Sequence, residues 1–186
     1  IAVSGALAAI GRSEQLPAPP LNLVGDFAGG GLYLALGILA GLLEAQRSGK
    51  GQTIDSSIMD GAASMMMQFF GMKAAGLWGN ERGTNVLDSG APFYDVYPCA
   101  DGRLISIAPI EDRFFSELMT RLDLPPACLA MKGDRTRWPE LREILARTLA
   151  TRSLAEWVGI LEGGDSCFAP VLDMDEAQHH PQIAAR

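Results

Sequence analysis

The sequence predicts an α/β protein organised in two parts, and three observations carry that prediction. A glycine-rich turn, LNLVGDFAGGG over residues 21–31, opens directly onto a long apolar run. Residues 76–92, GLWGNERGTNVLDSGAP, are dense in Gly, Asn, Asp and Ser and mark a change of composition. Beyond them the pattern becomes strand, strand, helices and strand, which is an α+β unit.

Taken in order, the chain opens on small apolar residues, IAVSGALAAIG, and passes through LPAPP, an extended Pro-rich connector. The opening lacks the basic region and cleavage site of a signal peptide and reads as the interior of a longer protein. From Phe27 to Leu43 the sequence is uncharged for 17 residues, the lower edge of membrane-spanning length. Frequent glycines, with Asp26 and Glu44 closing the run, favour a buried soluble helix over a membrane segment. Gly37 and Gly41 allow close packing by another element. The helix is expected to stop at Ser48-Gly49, with Arg47 and Lys50 suited to its C-terminal dipole. Gln52–Asp55 alternates like a short strand. A second helix is expected from Ser57 to Ala75, with five of the eight methionines: Met59, Met65, Met66, Met67 and Met72. These either fill core gaps or offer an adaptable apolar surface.

In the second part, Phe93–Pro98 and Arg103–Ile110 read as strands joined at Ala100-Asp101-Gly102. EDRFFSELMTRLDL follows as a helix with Phe114, Leu118 and Leu122 on its apolar face. PELREILARTLAT and SLAEWVGILEGG are two further amphipathic helices, and Ser153 with Glu156 three residues later forms a capping box. CFAPVLDMDEA closes as a strand and a short helix.

Composition excludes several classes. Hydrophobic residues make up 48% and charged residues 20%, a globular balance. A net charge of −7 without a basic cluster argues against a nucleic-acid partner, although a local pocket can still accept an acidic substrate. Cys99, Cys128 and Cys167 are an odd set with no metal-ligand spacing, so neither a disulfide framework nor a zinc site is expected. His179 and His180 sit beside Pro181 in a polar stretch and receive no ligand role.

Three acids stand out by position. Asp26 lies at the start of the glycine-rich helix, where backbone N–H groups favour an anion, and Asn22 is four residues before it. Glu111 and Asp112 sit where a strand gives way to a helix. For each acid the competing reading is an N-cap. No GxSxG, HExxH, Walker A or GxGxxG motif is present.

The blocks GDF-x-GGG, G-x-G-Q-x-x-D and APFYD occur in order, and the similarity runs to the closing CFAPVLDMDEAQHHP. Together they resemble the α-methylacyl-CoA racemases of the family III CoA-transferase superfamily. The resemblance implies a Rossmann-like large domain of which residues 1–56 are a part, a helical linker region over 57–92, a small α+β domain over 93–180 and the start of a return linker at 181–186. It implies 1,1-proton transfer on a 2-methylacyl-CoA thioester through an enolate, with no cofactor beyond the CoA of the substrate. Asp26 matches the family's acid/base, Asn22 the residue that holds it, and Glu111 the glutamate that orients a catalytic histidine. Tyr94, Met65 and Met72 match the acyl path, and Gly25 counts with the substrate-binding residues. The histidine itself matches a position just upstream of Ile1, so these residues alone are expected not to racemise.

The resemblance also implies an interlocked homodimer and no membrane partner, in the cytoplasm of a bacterium or an organelle of a eukaryote. Two other readings compete. One is a CoA transferase with Asp26 as nucleophile. The other is a non-catalytic folded module that exposes apolar surface and associates.

Overall fold

The computed structural model describes all residues from Ile1 to Arg186. They form two compact units, Ile1–Asp88 and Ser89–Arg186.

The first unit is helical. A short helix α1 (Ala6–Ala9) precedes a π-helical segment, Leu23–Leu32, which runs directly into α2 (Tyr33–Ser48). The wider π-turn shows in the bond from Phe27 N–H to the Asn22 carbonyl, 3.2 Å and five residues back. As expected, α2 ends at Gly49, whose φ of 70° is the left-handed cap that glycine adopts freely. The expected single helix over 57–75 is broken at Met66 into α3 (Ile58–Met65) and α4 (Met67–Ala74). Ser57 caps α3 by accepting from Met59 and Asp60 N–H.

Two glycine-lined crossings shape this unit. A Cβ built on Gly61 would lie 2.6 Å from the carbonyl carbon and 2.7 Å from the Cα of Gly29, so α3 meets the π-segment backbone to backbone. Ile54 seats its side chain over Gly37 and Gly41, where added Cβ atoms would come within 3.0 and 2.9 Å. This is the close packing anticipated for that glycine pair. It comes from extended chain, because 52–55 pairs with no strand. The Tyr33 hydroxyl also donates to Ser64 Oγ at 2.9 Å, linking α2 to α3.

One expectation fails here. Helix α2 is not buried: only Gly41 is, while Leu36, Leu39 and Leu43 are exposed. Apart from Ile54 and the α3 contact, these 186 residues supply little apolar surface to cover it. Leu23–Ser48 is 26 residues long and holds an 18-residue stretch of mean hydropathy 1.6, enough by length and composition alone to cross a membrane.

The loop after α4 carries its own hydrogen-bond network. Buried Asn85 accepts from Gly79 N–H at 2.7 Å and donates to the Gly79 and Glu81 carbonyls and to Asp88. Arg82 donates to the carbonyls of Ala8, Arg12 and Gln15, tying the chain's first residues to this loop.

The second unit packs helices on a three-stranded antiparallel sheet ordered β1 (Asp95–Pro98), β2 (Leu104–Ile107), β3 (Phe168–Pro170). Ile105 and Ile107 on β2 and Tyr97 on β1 face the core in strict alternation. The core is completed by α5 (Asp112–Arg121), α6 (Ala127–Lys132), α7 (Trp138–Leu149) and α8 (Leu154–Leu161), and α9 (Met174–Ala177) and α10 (Pro181–Ala184) follow β3. Leu118 and Leu122 are buried as expected, but Phe115 and Met119, not Phe114, complete the stripe of α5. Helical spacing counted back from Leu118 allows either 114 or 115, and buried Met119 turns the stripe toward Phe115, while Phe114 stacks on Arg113, 4.2 Å from its guanidinium carbon. The expected capping box of Ser153 and Glu156 is present. Buried Asp95 pairs with Arg142, whose guanidinium also donates to the Ser89 and Gly90 carbonyls at 2.7 and 3.0 Å.

Candidate active site

The sequence-level candidates fall on both units. Asn22, Gly25, Asp26, Met65 and Met72 lie in the first, and Tyr94 and Glu111 in the second.

Asp26 stands in the first turn of the π-segment with its side chain exposed. It is not a cap. The cap position belongs to Asn22, which makes no side-chain cap bond and offers only its backbone carbonyl, to Phe27. The expected Asn22–Asp26 side-chain bond is likewise not formed. Gly25 is buried beside Asp26, and a Cβ there would come within 3.4 Å of Ile1 and 3.6 Å of Ile58. The missing side chains at 25 and 29 let α3 press on one side of the segment while Asp26 and Phe27 face outward. π-Helical turns are rare overall and frequent at functional sites.

Met65 ends α3 and Met72 lies on α4, both half-buried. Neighbouring Met59 and Met67 are exposed, so the methionine run is not a closed core. A cavity of about 220 Å³ opens on the α4 face of Met66, Phe69, Phe70 and Lys73, against Trp78.

In the second unit Glu111 occupies the cap position of α5 but makes no side-chain cap bond. Its carbonyl receives Phe115 N–H at 3.0 Å, and its exposed carboxylate is left for other partners. Its charge is felt at exposed Cys167, whose thiol is pushed up first by burial and then by Glu111 and Asp165. Asp112 is held below the ordinary carboxylate value by the hydrogen bond and then the charge of Lys132. Tyr94 is half-buried on the turn entering β1, with its N–H on the Ala91 carbonyl at 3.1 Å. His180 Nδ1 accepts from Gln182 N–H and caps α10.

Two residues that shape these positions were not singled out from the sequence. Gly61 sets the approach of α3 to the π-segment, and Lys132 brackets Glu111. Neither has a local signature: a glycine in a helix and a lysine at a helix end are common, and only the tertiary contact distinguishes them.

Residues 1–186 match the model of CoA-transferase family III along their whole length. The chain belongs to that family. Among family members it is 44% identical over 180 residues to the α-methylacyl-CoA racemase of Mus musculus and 42% to that of Homo sapiens, covering 97% of this chain and 47% of each relative. The chain thus spans about half the length of the curated relatives it matches. Acetyl-CoA:oxalate CoA-transferase of Acetobacter aceti is 27% identical over the full chain and 48% of that relative. Among solved structures, Rv3272 from Mycobacterium tuberculosis superposes with a TM-score of 0.74 at 22% identity, over 99% of this chain and 48% of that one. A CaiB/BaiF family protein from Brucella suis gives 0.72 at 20% identity, over 100% of this chain and 50% of that one. These superpositions carry the fold and place the chain in the expected α/β class.

Proposed function

We propose that the chain is a portion of a racemase that interconverts (2R)- and (2S)-2-methylacyl-CoA thioesters. The observation that carries this reading is the 44% identity to an α-methylacyl-CoA racemase across 97% of the chain. Its structural support is Asp26, an outward carboxylate on a π-helix with no cap bond.

In this reading a base on one face removes the α-proton and the electron pair passes to the thioester oxygen. An acid on the other face then returns a proton to the same carbon, so nothing but configuration changes. A thioester α-proton is weakly acidic, and the rate depends on placing both carriers close to the carbon and stabilising the oxyanion. Asp26 is one carrier, with Asn22 beside it. Glu111 orients the opposite base, which these residues do not supply, since the two histidines stand at the start of α10. Tyr94, Met65, Met72 and Gly25 line the path of the acyl chain. No cofactor is needed beyond CoA itself. The domain division is the one expected above, the working assembly is an interlocked homodimer, and its compartment is the cytoplasm or an organelle.

A second reading has one specific support, the 27% identity to a CoA-transferase. There Asp26 attacks the thioester as a nucleophile. The full-length protein, given a single epimer of a 2-methylacyl-CoA in deuterium oxide, separates the two. Deuterium at the α-carbon and both epimers in the product are expected. Acyl transfer that requires a carboxylate acceptor, without α-deuteration, would overturn the racemase.

A further inference from the structure

The Lys132 side chain is largely enclosed, only 12% exposed, although lysine is among the residues least often buried. It donates to the Ile110 carbonyl and, at 2.5 Å, to Asp112 Oδ1. It lies 5.5 Å from the Phe93 ring centre and 5.6 Å from that of Phe115. Phe93 is edge-on to both Phe115 and Trp138, and the Trp138 indole N–H donates to the Lys132 carbonyl at 3.0 Å. One cation therefore joins the residue before Tyr94 to the residues on both sides of Glu111.

Its ion pair alone does not account for this arrangement. Asp112 is 98% exposed, and a pair with so exposed a partner contributes little. Enclosing an ammonium is costly unless its protons are satisfied. Here the Ile110 carbonyl and the two aromatic faces provide that satisfaction. What the arrangement fixes is the turn. The Ile110 carbonyl is held by Lys132, Ile110 N–H bonds the Ala108 carbonyl at 2.9 Å, and Ala108 N–H bonds the Cys167 carbonyl at 2.8 Å. Glu111 is thus pinned along its backbone while its carboxylate stays uncommitted.

We propose that Lys132 is a positioning residue: it sets the place of Glu111 and, through Phe93, of Tyr94, and so acts on the reaction without touching substrate. The kinetic part rests on the racemase reading above. The local part, that Lys132 holds the 108–112 turn, does not.

The test uses the full-length protein as wild type, Lys132→Met, Glu111→Gln and the double variant. Lys132→Met is expected to lower kcat for α-proton exchange by roughly 10- to 100-fold, the scale of a 1 Å misplacement, with KM little changed. The double variant is expected to lose much less than the two single losses combined, because both changes act mainly through Glu111. Peptide-resolved hydrogen exchange should accelerate over 108–115 in Lys132→Met and stay unchanged on β1 and β2. Unchanged exchange over 108–115 would overturn the proposal, as would a rate loss that adds fully to that of Glu111→Gln. A wild type without α-proton exchange would overturn the racemase reading instead, and hydrogen exchange would still decide the role of Lys132.

Discussion

Replacing Gly61 by alanine tests whether the helix crossing places Asp26. The added Cβ would come within 2.6 Å of the carbonyl carbon of Gly29, where an ordinary carbon–carbon contact is about 3.5–4.0 Å. The two segments must therefore part by roughly 1 Å. The atoms in the way belong to backbone, which cannot rotate aside as a side chain would. Overpacking of this kind costs about 1–3 kcal/mol, and a backbone obstacle puts Gly61→Ala near the top of that range. Better helix propensity returns about 1 kcal/mol. The net loss is about 2 kcal/mol, a fall in Tm of at most roughly 4–8 °C, the scale for a protein of about 150 residues or more. A matched control is Gly71→Ala on α4, where an added Cβ meets nothing within 4 Å. That variant should melt at or above the wild type. The assay is thermal unfolding of the full-length protein with α-proton exchange on the same samples. Exchange should fall by about 100-fold in Gly61→Ala as the π-segment shifts under Asp26. If Gly61→Ala melts no lower than Gly71→Ala, the crossing is looser than described. If it melts lower at full activity, the crossing supports the fold but does not place the acid.

Other expectations follow from single contacts. Arg142→Met removes one cation from the buried Asp95 carboxylate and should cost about 3 kcal/mol in chemical denaturation, the low end for a broken buried pair because Asp95 keeps further partners, Val96 N–H at 2.7 Å among them. Glu111→Gln removes a negative charge that raises the Cys167 thiol pKa, so Cys167 should alkylate faster at pH 8, with buried Cys99 and Cys128 as internal references. Glu156 and Asp134 are held below the ordinary carboxylate range, the first mainly by the Ser153 hydroxyl and the second by the Thr136 hydroxyl. A pKa lowered on folding stabilises above the unfolded value of about 4 and is lost as pH falls through the folded value, so Tm should drop less between pH 5 and 2 in Glu156→Gln than in wild type.

How much of this was legible in the sequence depends on the range of the interaction. Gly49, the Ser153–Glu156 capping box and the β1–β2 hairpin are set by residues a few positions apart, and they form as the local pattern says. The register of α5 did not follow, because two adjacent phenylalanines leave the stripe ambiguous until Leu118 and Met119 select Phe115. Burial of α2 was misjudged for a longer-range reason: apolar composition states what a helix prefers to contact but not whether the partner surface is present in these residues. The π-turn at Asp26 was also illegible: no local pattern marks it, and the contact beside it joins Gly61 to Gly29, two residues 32 positions apart in sequence. For the candidate site the sequence offers a set of residues but not their arrangement.

The distinction between a capping acid and a working acid can now be drawn by comparison within one chain. Ser57, Asp134, Ser153 and Asp173 each stand before a helical turn and accept backbone N–H groups of that turn. Glu111 stands at such a cap position and Asp26 inside the first turn of the π-segment, and neither side chain makes a cap bond. A carboxylate whose lone pairs are filled by helix donors is held ionised and fixed in direction, as Asp134 is, and is poorly suited to take up and release a proton. An acid at a helix start whose oxygens remain uncommitted keeps both capacities. By that criterion Asp26 and Glu111 differ from the capping residues of this chain, in keeping with the roles proposed for them above.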